Sequence, residues 1–207
     1  MSAVLPPQPV QVDGDLSALP EHAFGSTSLG WWGVIGFMLI EGMGFVLAIG
    51  AYYYLLPNEH SWPPVNPPPS LLWGTLFTAL ALASELPNQW IKRRAARYDL
   101  KAVQAGLLLM TVVGVLLIGL RAFEFGALNV RWDSNAYGSI TWAILGLHTL
   151  HLATDVFDSA VLAVLVFVKK VDGRKFSDVA DNALYWHFIV WSWLLLYLVV
   201  YWTPRWL

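Results

Sequence analysis

Five long apolar stretches constrain this chain more than any other feature of its sequence. They occupy residues 31–56, 71–91, 102–123, 137–168 and 183–202. A helix needs about 20 mostly apolar residues to cross the hydrocarbon core of a bilayer, and all five stretches reach that length. Of the 207 residues, 57% are hydrophobic and only 13% are charged. The pattern predicts an all-α, polytopic membrane protein, built as a bundle of five transmembrane helices.

The composition excludes several classes of function. The chain contains no cysteine, so it has no disulfide bond, no thiolate metal site and no cysteine nucleophile. Its formal net charge of −2 argues against nucleic acid as a partner. Residues 1–30 are rich in Pro, Ser and Gly and contain no Lys or Arg, which predicts a disordered or extended tail rather than a secretory signal. Residues 31–206 then form the predicted bundle.

The connections between the stretches differ in their basic residues. The second and fourth connections are rich in them: Lys92, Arg93, Arg94, Arg97 and Lys101, then Lys169, Lys170, Arg174 and Lys175. The first connection, residues 57–70, has none, and the third has only Arg131. Lys and Arg accumulate in cytoplasmic loops. The sequence therefore predicts a cytoplasmic N-terminus and tail, and a C-terminus on the opposite face.

Ionisable side chains lie deep inside two of the stretches. Glu41 is about 15 Å into the first stretch, and His148 is a similar distance into the fourth. At 100° per residue, the side chains of His148, His151, Asp155 and Asp158 fall within an arc of about 80°. A charged group at the bilayer centre costs at least about 2.5 kcal/mol. We therefore expect this stripe to face protein and to form an intramembrane network with Glu41.

Three roles fit such a stripe. Its residues can hydrogen-bond across helices and hold the bundle together. Glu41 and the imidazoles can also bind or pass protons. A third role, haem or metal binding, is disfavoured because His148 and His151 share one helix, and because the Glu-x-x-His pattern of carboxylate di-iron sites is absent. We expect no metal ligand and no catalytic residue in this chain.

Two other charged positions have competing interpretations. Arg121 and Glu124 are three residues apart near the end of the third stretch, a spacing that favours an ion pair, either inside the bundle or as an anchor at the membrane interface. Glu85 precedes Pro87. Because proline removes a helical hydrogen bond, we expect the second stretch to kink or end there, which would leave Glu85 near the inner interface.

Short motifs occur together in the last two stretches. "AYGS" is followed by "GLHTLH", which contains both histidines of the stripe, and "YWHF", which contains Trp186 and His187, is followed by Trp193. In order and spacing these motifs resemble subunit III of haem-copper terminal oxidases, the cytochrome c and quinol oxidase family. The resemblance covers about residues 31–206. Glu41 matches the family's intramembrane Glu, and Glu124 matches the Glu of a Gln-x-x-Glu pattern.

The resemblance implies a five-helix subunit that carries no redox centre and no cofactor of its own. Haem and copper are expected in its partner, the catalytic subunit I, which assembles with subunit II. The resemblance further implies structural phospholipid, the bacterial inner membrane, and a role in complex stability, oxygen access or proton uptake. Three positions depart from the family's usual residues: Arg121, Thr149 and Val190.

Other functions remain open at this point. A divergent member of the same group would be the subunit III-like accessory subunit of a nitric oxide reductase. A small proton-coupled transporter would use Glu41 with the two histidines, although the chain lacks the inverted repeat typical of such proteins. For each of these functions we expect the same intramembrane polar network: Glu41, His148, His151 and Asp155.

Overall fold

The computed structural model of the protein describes residues 23–65, 67–168 and 172–206, so most of the predicted tail lies outside the described residues. The described part contains five long helices: α1 (Leu29–Leu55), α2 (Leu71–Ala95), α3 (Leu100–Gly126), α4 (Ala136–Val168) and α5 (Gly173–Tyr197). A π-helical segment, Leu198–Trp202, continues α5 into a final turn, α6 (Thr203–Trp206).

Polar caps mark where four of these helices begin. In each case a side-chain oxygen accepts a hydrogen bond from a backbone N–H of the first turn: Ser28 for α1, Ser70 for α2, Asp99 for α3 and Asp172 for α5. Such bonds satisfy N–H groups that have no partner within the helix. The caps lie outside the apolar stretches. The cap of α5 is Asp172, so this helix begins well before residue 183, where the fifth apolar stretch begins.

The helices form a four-helix ring with a fifth helix against one side. Packing contacts join α2 to α3, α3 to α4, α4 to α5 and α5 back to α2, while α1 packs mainly along α4 and α5. Short connections make successive members of the ring antiparallel. Phe45 and Tyr52 are the buried residues of α1, whereas most of its other side chains face outward.

Two glycines bring α3 close to its neighbours. A Cβ at Gly106 would lie 2.3 Å from Cγ1 of Ile91 on α2, and a Cβ at Gly114 would lie 2.3 Å from Cγ2 of Val156 on α4. Real Cβ atoms do not approach other carbons so closely. Small residues at these points therefore set the distance between helices, as is usual in membrane bundles.

Within the described ranges, four helices are long and apolar enough to cross a membrane: Leu29–Asn58, Leu100–Gly126, Ala136–Val168 and Gly173–Trp206. The protein is therefore an all-helical, multi-pass membrane protein. α2 does not meet the same requirement, and it carries Glu85 inside the helix and three basic residues in its last turn. The fifth crossing stays a prediction. α4 has 33 residues and is about 50 Å long, so it extends beyond a hydrocarbon core of about 30 Å.

Candidate functional site: a buried ion pair and an acidic cavity

Arg121 lies in the centre of the bundle, with 1% of its surface exposed. Its Nη1 donates a hydrogen bond of 2.6 Å to Oε2 of Glu124, which is one turn further along α3 and equally buried. The Tyr201 hydroxyl, from the π-helical segment, donates a bond of 2.5 Å to the other oxygen, Oε1. The pair is therefore inside the protein and does not anchor the chain at the interface.

Aromatic rings complete the environment of the Arg121 guanidinium. Its Cζ lies 3.8 Å from the ring centre of Phe77 on α2 and 4.0 Å from that of Trp193 on α5. Trp193 is fixed in turn because its Nε1 donates to Oγ1 of Thr78 over 2.8 Å. Cation–π contacts of this kind are worth about 2 kcal/mol when desolvated. Trp193 therefore stabilises a buried charge.

His148 is held in one tautomer by its two neighbours. Its Nε2 lies 3.1 Å from the backbone oxygen of Ile189, and a carbonyl can only accept, so Nε2 carries the hydrogen. Its Nδ1 lies 3.0 Å from Nη2 of Arg121, which can only donate, so Nδ1 is the acceptor. The ring is therefore the neutral Nε2–H form, and it joins α4 to α3 and α5.

Glu41 belongs to a second polar group, between α1, α4 and α5. Its Oε2 accepts a hydrogen bond of 2.5 Å from the Tyr185 hydroxyl, and its Oε1 lies 3.3 Å from Nε2 of His151. The other ring nitrogen of His151, Nδ1, lies 2.6 Å from the Leu147 carbonyl oxygen and therefore carries a hydrogen. The contact between Nε2 and Oε1 therefore joins α4 to α1.

Asp155 lies one turn beyond His151 and is completely buried. Its Oδ1 accepts a hydrogen bond of 2.8 Å from Nδ2 of Asn182, and Oδ1 of Asn182 accepts one of 3.0 Å from the Ser159 hydroxyl. The second oxygen of Asp155, Oδ2, has no hydrogen-bond partner in the described part of the chain. A buried carboxyl oxygen without a donor is costly, and it points to water or to a bound proton.

The sequence-predicted residues thus fall into three groups. His148 joins Glu124 through Arg121, Glu41 meets His151, and Asp155 bonds to α5. The ring of Phe45 lies between the first two groups, with its centre 6.1 Å from that of His148 and 4.9 Å from that of His151. No contact between Glu41 and His148 is found among the described residues, so the polar residues do not form a single network.

The motif tryptophans are structural. Trp186 is buried, and its Nε1 donates a hydrogen bond of 2.9 Å to the Ser84 hydroxyl on α2. Trp193 fills the corresponding position beside Arg121, two turns further along α5. Both indoles therefore attach α5 to α2. The "YWHF" motif supplies one of these ties, and Trp193 supplies the other.

His187 of the same motif lies at the edge of the bundle with Glu85. Its Nδ1 is 2.9 Å from Oε2 of Glu85, and the two side chains are 42% and 16% exposed. α2 continues through Pro87 to Ala95, so the helix does not end at Pro87, and of the two expected outcomes only a kink stays a prediction. Glu85 therefore lies about 15 Å from the end of α2.

Some residues of the site were not predicted from the sequence. Tyr185 and Tyr201 donate to the two key carboxyl groups, and Asn182 holds Asp155. Aromatic residues near helix ends are normally interface anchors, so neither tyrosine is distinctive by type. The available signal was that each lies on α5 or its extension, which also carries the polar residues Asp181 and Asn182.

A cavity of about 540 Å³ adjoins the Glu41 group, between α1, α4 and α5. Its lining contains five acidic residues: Glu41, Asp155, Asp158, Asp178 and Asp181. No Lys or Arg lines the cavity within the described ranges. The same ranges contain no cluster of three or more His, Asp or Glu side chains arranged to hold a metal ion. The acidic residues are therefore spread along the cavity.

Comparison with known proteins agrees with this architecture. The family described as cytochrome c oxidase subunit III matches residues 16–205. Cytochrome c oxidase subunit 3 of Artemia franciscana is 28% identical over 186 residues, covering 86% of this chain and 71% of that protein. The Thermostichus vulcanus protein of the same name is 21% identical over 188 residues, covering 89% and 92%. The chain therefore belongs to the cytochrome c oxidase subunit III family, a non-catalytic membrane subunit of a multi-subunit haem-copper oxidase.

Proposed function

We propose that this chain packs against the haem- and copper-bearing subunit I, together with subunit II, and supports it without redox chemistry of its own. The proposal depends on one observation: the ring nitrogens of His148 and His151, the two mid-helix histidines, are already in contact with other groups of this chain. His148 bonds a guanidinium and a carbonyl, and His151 bonds a carbonyl and lies against Glu41. Haem iron needs a free imidazole nitrogen, so these rings are suited to a structural role.

The buried network is suited to keeping the subunit rigid beside its partner. Arg121 alone contacts groups on α2, α4 and α5 while it is carried by α3. Nε of Arg121 has no hydrogen-bond partner in the described ranges, but its two terminal nitrogens bond Glu124 and His148. Hydrogen bonds between helices in a low-dielectric interior favour one arrangement of those helices. We infer that this rigidity preserves the route by which oxygen or protons reach the catalytic subunit, and that Glu41 and Asp155 contribute to it.

The Glu85–His187 pair is evidence for a partner protein on the face formed by α2 and α5. Both side chains are partly exposed at mid-helix, and Oε1 of Glu85 has no hydrogen-bond partner in the described ranges. Hydrocarbon cannot supply a donor, so ionisable groups at this depth normally face protein or a water-filled cavity. The more exposed side chain of the pair, His187, would contact a transmembrane helix of the catalytic subunit. This face is therefore our candidate for the interface with subunit I.

We propose that all five long helices cross the bacterial inner membrane. α2 packs along α3 and α5 over its length, as a crossing helix would. The basic residues at its end, Lys92, Arg93 and Arg94, favour a cytoplasmic loop there. The N-terminus is then cytoplasmic and the C-terminus periplasmic. The outward face of α1 carries Leu39, Ile40 and Leu47, each at least 68% exposed, and would contact phospholipid.

Copurification tests the proposal directly. A tagged chain is expressed with its neighbouring respiratory genes, extracted in mild detergent, and its visible spectrum and substrate consumption are recorded. We expect haem-bearing partners and consumption of oxygen. The proposal is wrong if the complex reduces nitric oxide rather than oxygen. Isolation of the chain alone, with a Soret band of its own, would contradict it equally.

Glu41→Ala in the assembled oxidase tests the supporting role. We expect normal initial oxygen consumption followed by faster inactivation over many turnovers, because the Glu41–His151–Tyr185 group no longer holds α1 to the ring. Glu59→Ala, an exposed position in the loop after α1, is the matched control and should behave as wild type. If the rate and its decay are both unchanged in Glu41→Ala, the group does not support the activity or durability of the oxidase, and the supporting role is wrong.

A further inference from the structure

Basic side chains collect at one end of the bundle, where α2 ends and where α3 and α5 begin. Four of them are exposed and form what we call the basic patch: Arg93, Arg97, Lys101 and Arg174. No ion pair is found for these four within the described ranges. The nearby Asp99 already bonds Arg94 over 3.2 Å and caps α3. The basic patch is therefore suited to an anionic partner.

The first described residues of the chain pack beside this patch. The hydroxyl of Ser177, near the beginning of α5, donates a hydrogen bond of 2.8 Å to the Ala23 carbonyl. The ring centre of Phe24 lies 5.8 Å from that of Tyr98, which follows Arg97 in the turn between α2 and α3. Residues 23 and 24 therefore contact both segments that carry the basic patch, and the preceding residues leave the bundle from this point.

Tyr98 holds this attachment in an uncommon backbone conformation. Its φ is 56°, in the left-handed region that bulky residues rarely adopt. Its ring contacts Phe24 on one side and Phe176 of α5 on the other, with ring centres 5.8 and 5.3 Å apart. Such a conformation persists only where the surrounding structure holds it. The aromatic row of Phe24, Tyr98 and Phe176 therefore fixes the point at which the N-terminal segment meets the bundle.

The residues that precede this point carry the opposite charge. Residues 1–22 contain Asp13, Asp15 and Glu21 and no Lys or Arg, and they lie outside the described residues. A chain spans at most about 3.6 Å per residue, so the Cα of Glu21 is within about 7 Å of that of Ala23. A tether of this kind gives an effective concentration on the order of millimolar. It favours this segment over an anion that is free in solution.

We propose that the basic patch is the docking surface for residues 13–21 of this same chain, the acidic segment, whose three carboxylates lie against the four exposed cations. Exposed ion pairs are individually weak and are screened by salt, so several must act together. The docked segment ties the beginning of α1 to the α2–α3 turn and to the beginning of α5. The contact lies at one end of the bundle, so it does not depend on which side of the membrane that end faces.

Disulfide formation tests the docking, because the chain contains no cysteine. Ser17 lies within the acidic segment, and Ala96 is an exposed residue between Arg93 and Arg97, so Ser17→Cys with Ala96→Cys removes no charge. In the assembled complex this pair should form a disulfide under mild oxidation. Neutralising the segment with Asn at 13 and 15 and Gln at 21 should slow the reaction by about threefold or more. Asp133→Asn, at the opposite end of the bundle, is the matched control and should leave the rate unchanged.

Charge exchange identifies what occupies the patch. Arg93→Glu with Arg97→Glu should slow the same disulfide, and adding Asp13→Lys with Asp15→Lys should restore its rate. Anionic lipid headgroups on the patch would be lost in the first variant and would not return in the second. If the double reversal does not assemble, Arg97→Gln alone should still slow the reaction. The docking is wrong if the neutralised segment reacts as fast as the wild-type segment, or if the exchanged charges fail to restore the rate.

Discussion

Arg121 and Arg131 carry the same charge in opposite surroundings. Arg121→Met would leave Glu124 charged, buried and without its cation, which should cost about 3–5 kcal/mol of unfolding free energy. Arg131 donates two bonds of 3.1 Å to Asp133, and these hold the pKa of that carboxyl below its ordinary value, but the arginine is 76% exposed. Arg131→Met should cost less than about 1 kcal/mol. Equilibrium unfolding in mixed micelles measures the free energy of unfolding of both variants.

A double variant separates the effect of charge on stability from the effect of side-chain shape. Arg121→Met with Glu124→Gln leaves no net charge in the interior, so it should recover part of the stability lost in the single variant. The aromatic contacts of Phe77 and Trp193 would then be made to an apolar chain. Equal losses in Arg121→Met and Arg131→Met would mean that the buried ion pair contributes nothing to the bundle.

The tautomer of His148 is a second prediction about a single side chain. With Nε2 donating to Ile189 and Nδ1 accepting from Arg121, ¹⁵N NMR of the labelled protein should show a neutral ring that is protonated at Nε2 only. The exposed His60 in the loop after α1 serves as the control for a ring outside the bundle. A proton found at Nδ1 of His148 would contradict the bond from Arg121.

Helical periodicity predicted that the polar residues of α4 lie on one face, but not that they would separate into three groups. His148 and His151 differ by about 60° around the helix. That difference is enough for one ring to turn towards α3 and the other towards α1. Which neighbour each one meets depends on how α4 packs between them, and this is set by long-range contacts. Asn182 and Tyr185 approach from another helix, so local spacing could not pair them.

The packing of α3 against α4 gives a matched test at two glycines. Gly114→Ala would place a methyl group 2.3 Å from Val156, so the helices must separate, at a cost of about 1–3 kcal/mol. Gly119→Ala meets nothing within 4 Å, and alanine is the better helix former by up to about 1 kcal/mol. We expect a lower melting temperature for the first variant and an unchanged or higher one for the second. The reverse order would contradict close α3–α4 packing.

Length and hydropathy predicted the number of long helices correctly, but not where they begin or end. α5 starts at Gly173 because Asp172 caps it, and its polar first turns had suggested a loop. Pro87 is tolerated inside α2 because neighbouring helices hold that segment: Trp186 bonds Ser84, and the Asn88 side chain donates to the Ala183 carbonyl over 2.9 Å. Tertiary contacts outweigh the local preference of proline.

The membrane topology of the whole molecule depends on whether α2 crosses the membrane. Five crossings put the two chain ends on opposite sides, whereas four put them on the same side. The number of crossings also determines whether the Glu85–His187 pair lies at mid-membrane, where it needs a protein partner, or near water. The high charge at the end of α2 lowers its hydropathy, but those residues form its last turn, where a cytoplasmic end would carry them.

Single-cysteine labelling decides the topology without a background signal. Glu59→Cys precedes α2 and Arg97→Cys follows it, and both positions are exposed. A membrane-impermeant maleimide added to intact spheroplasts should label Glu59→Cys but not Arg97→Cys, and inverted vesicles should give the opposite result. Asp133→Cys, in the loop before α4, should behave like Glu59→Cys because α3 returns the chain to the outer side. If residues 59 and 97 are labelled from the same side, α2 does not cross, and the Glu85–His187 face is not an intramembrane contact with subunit I.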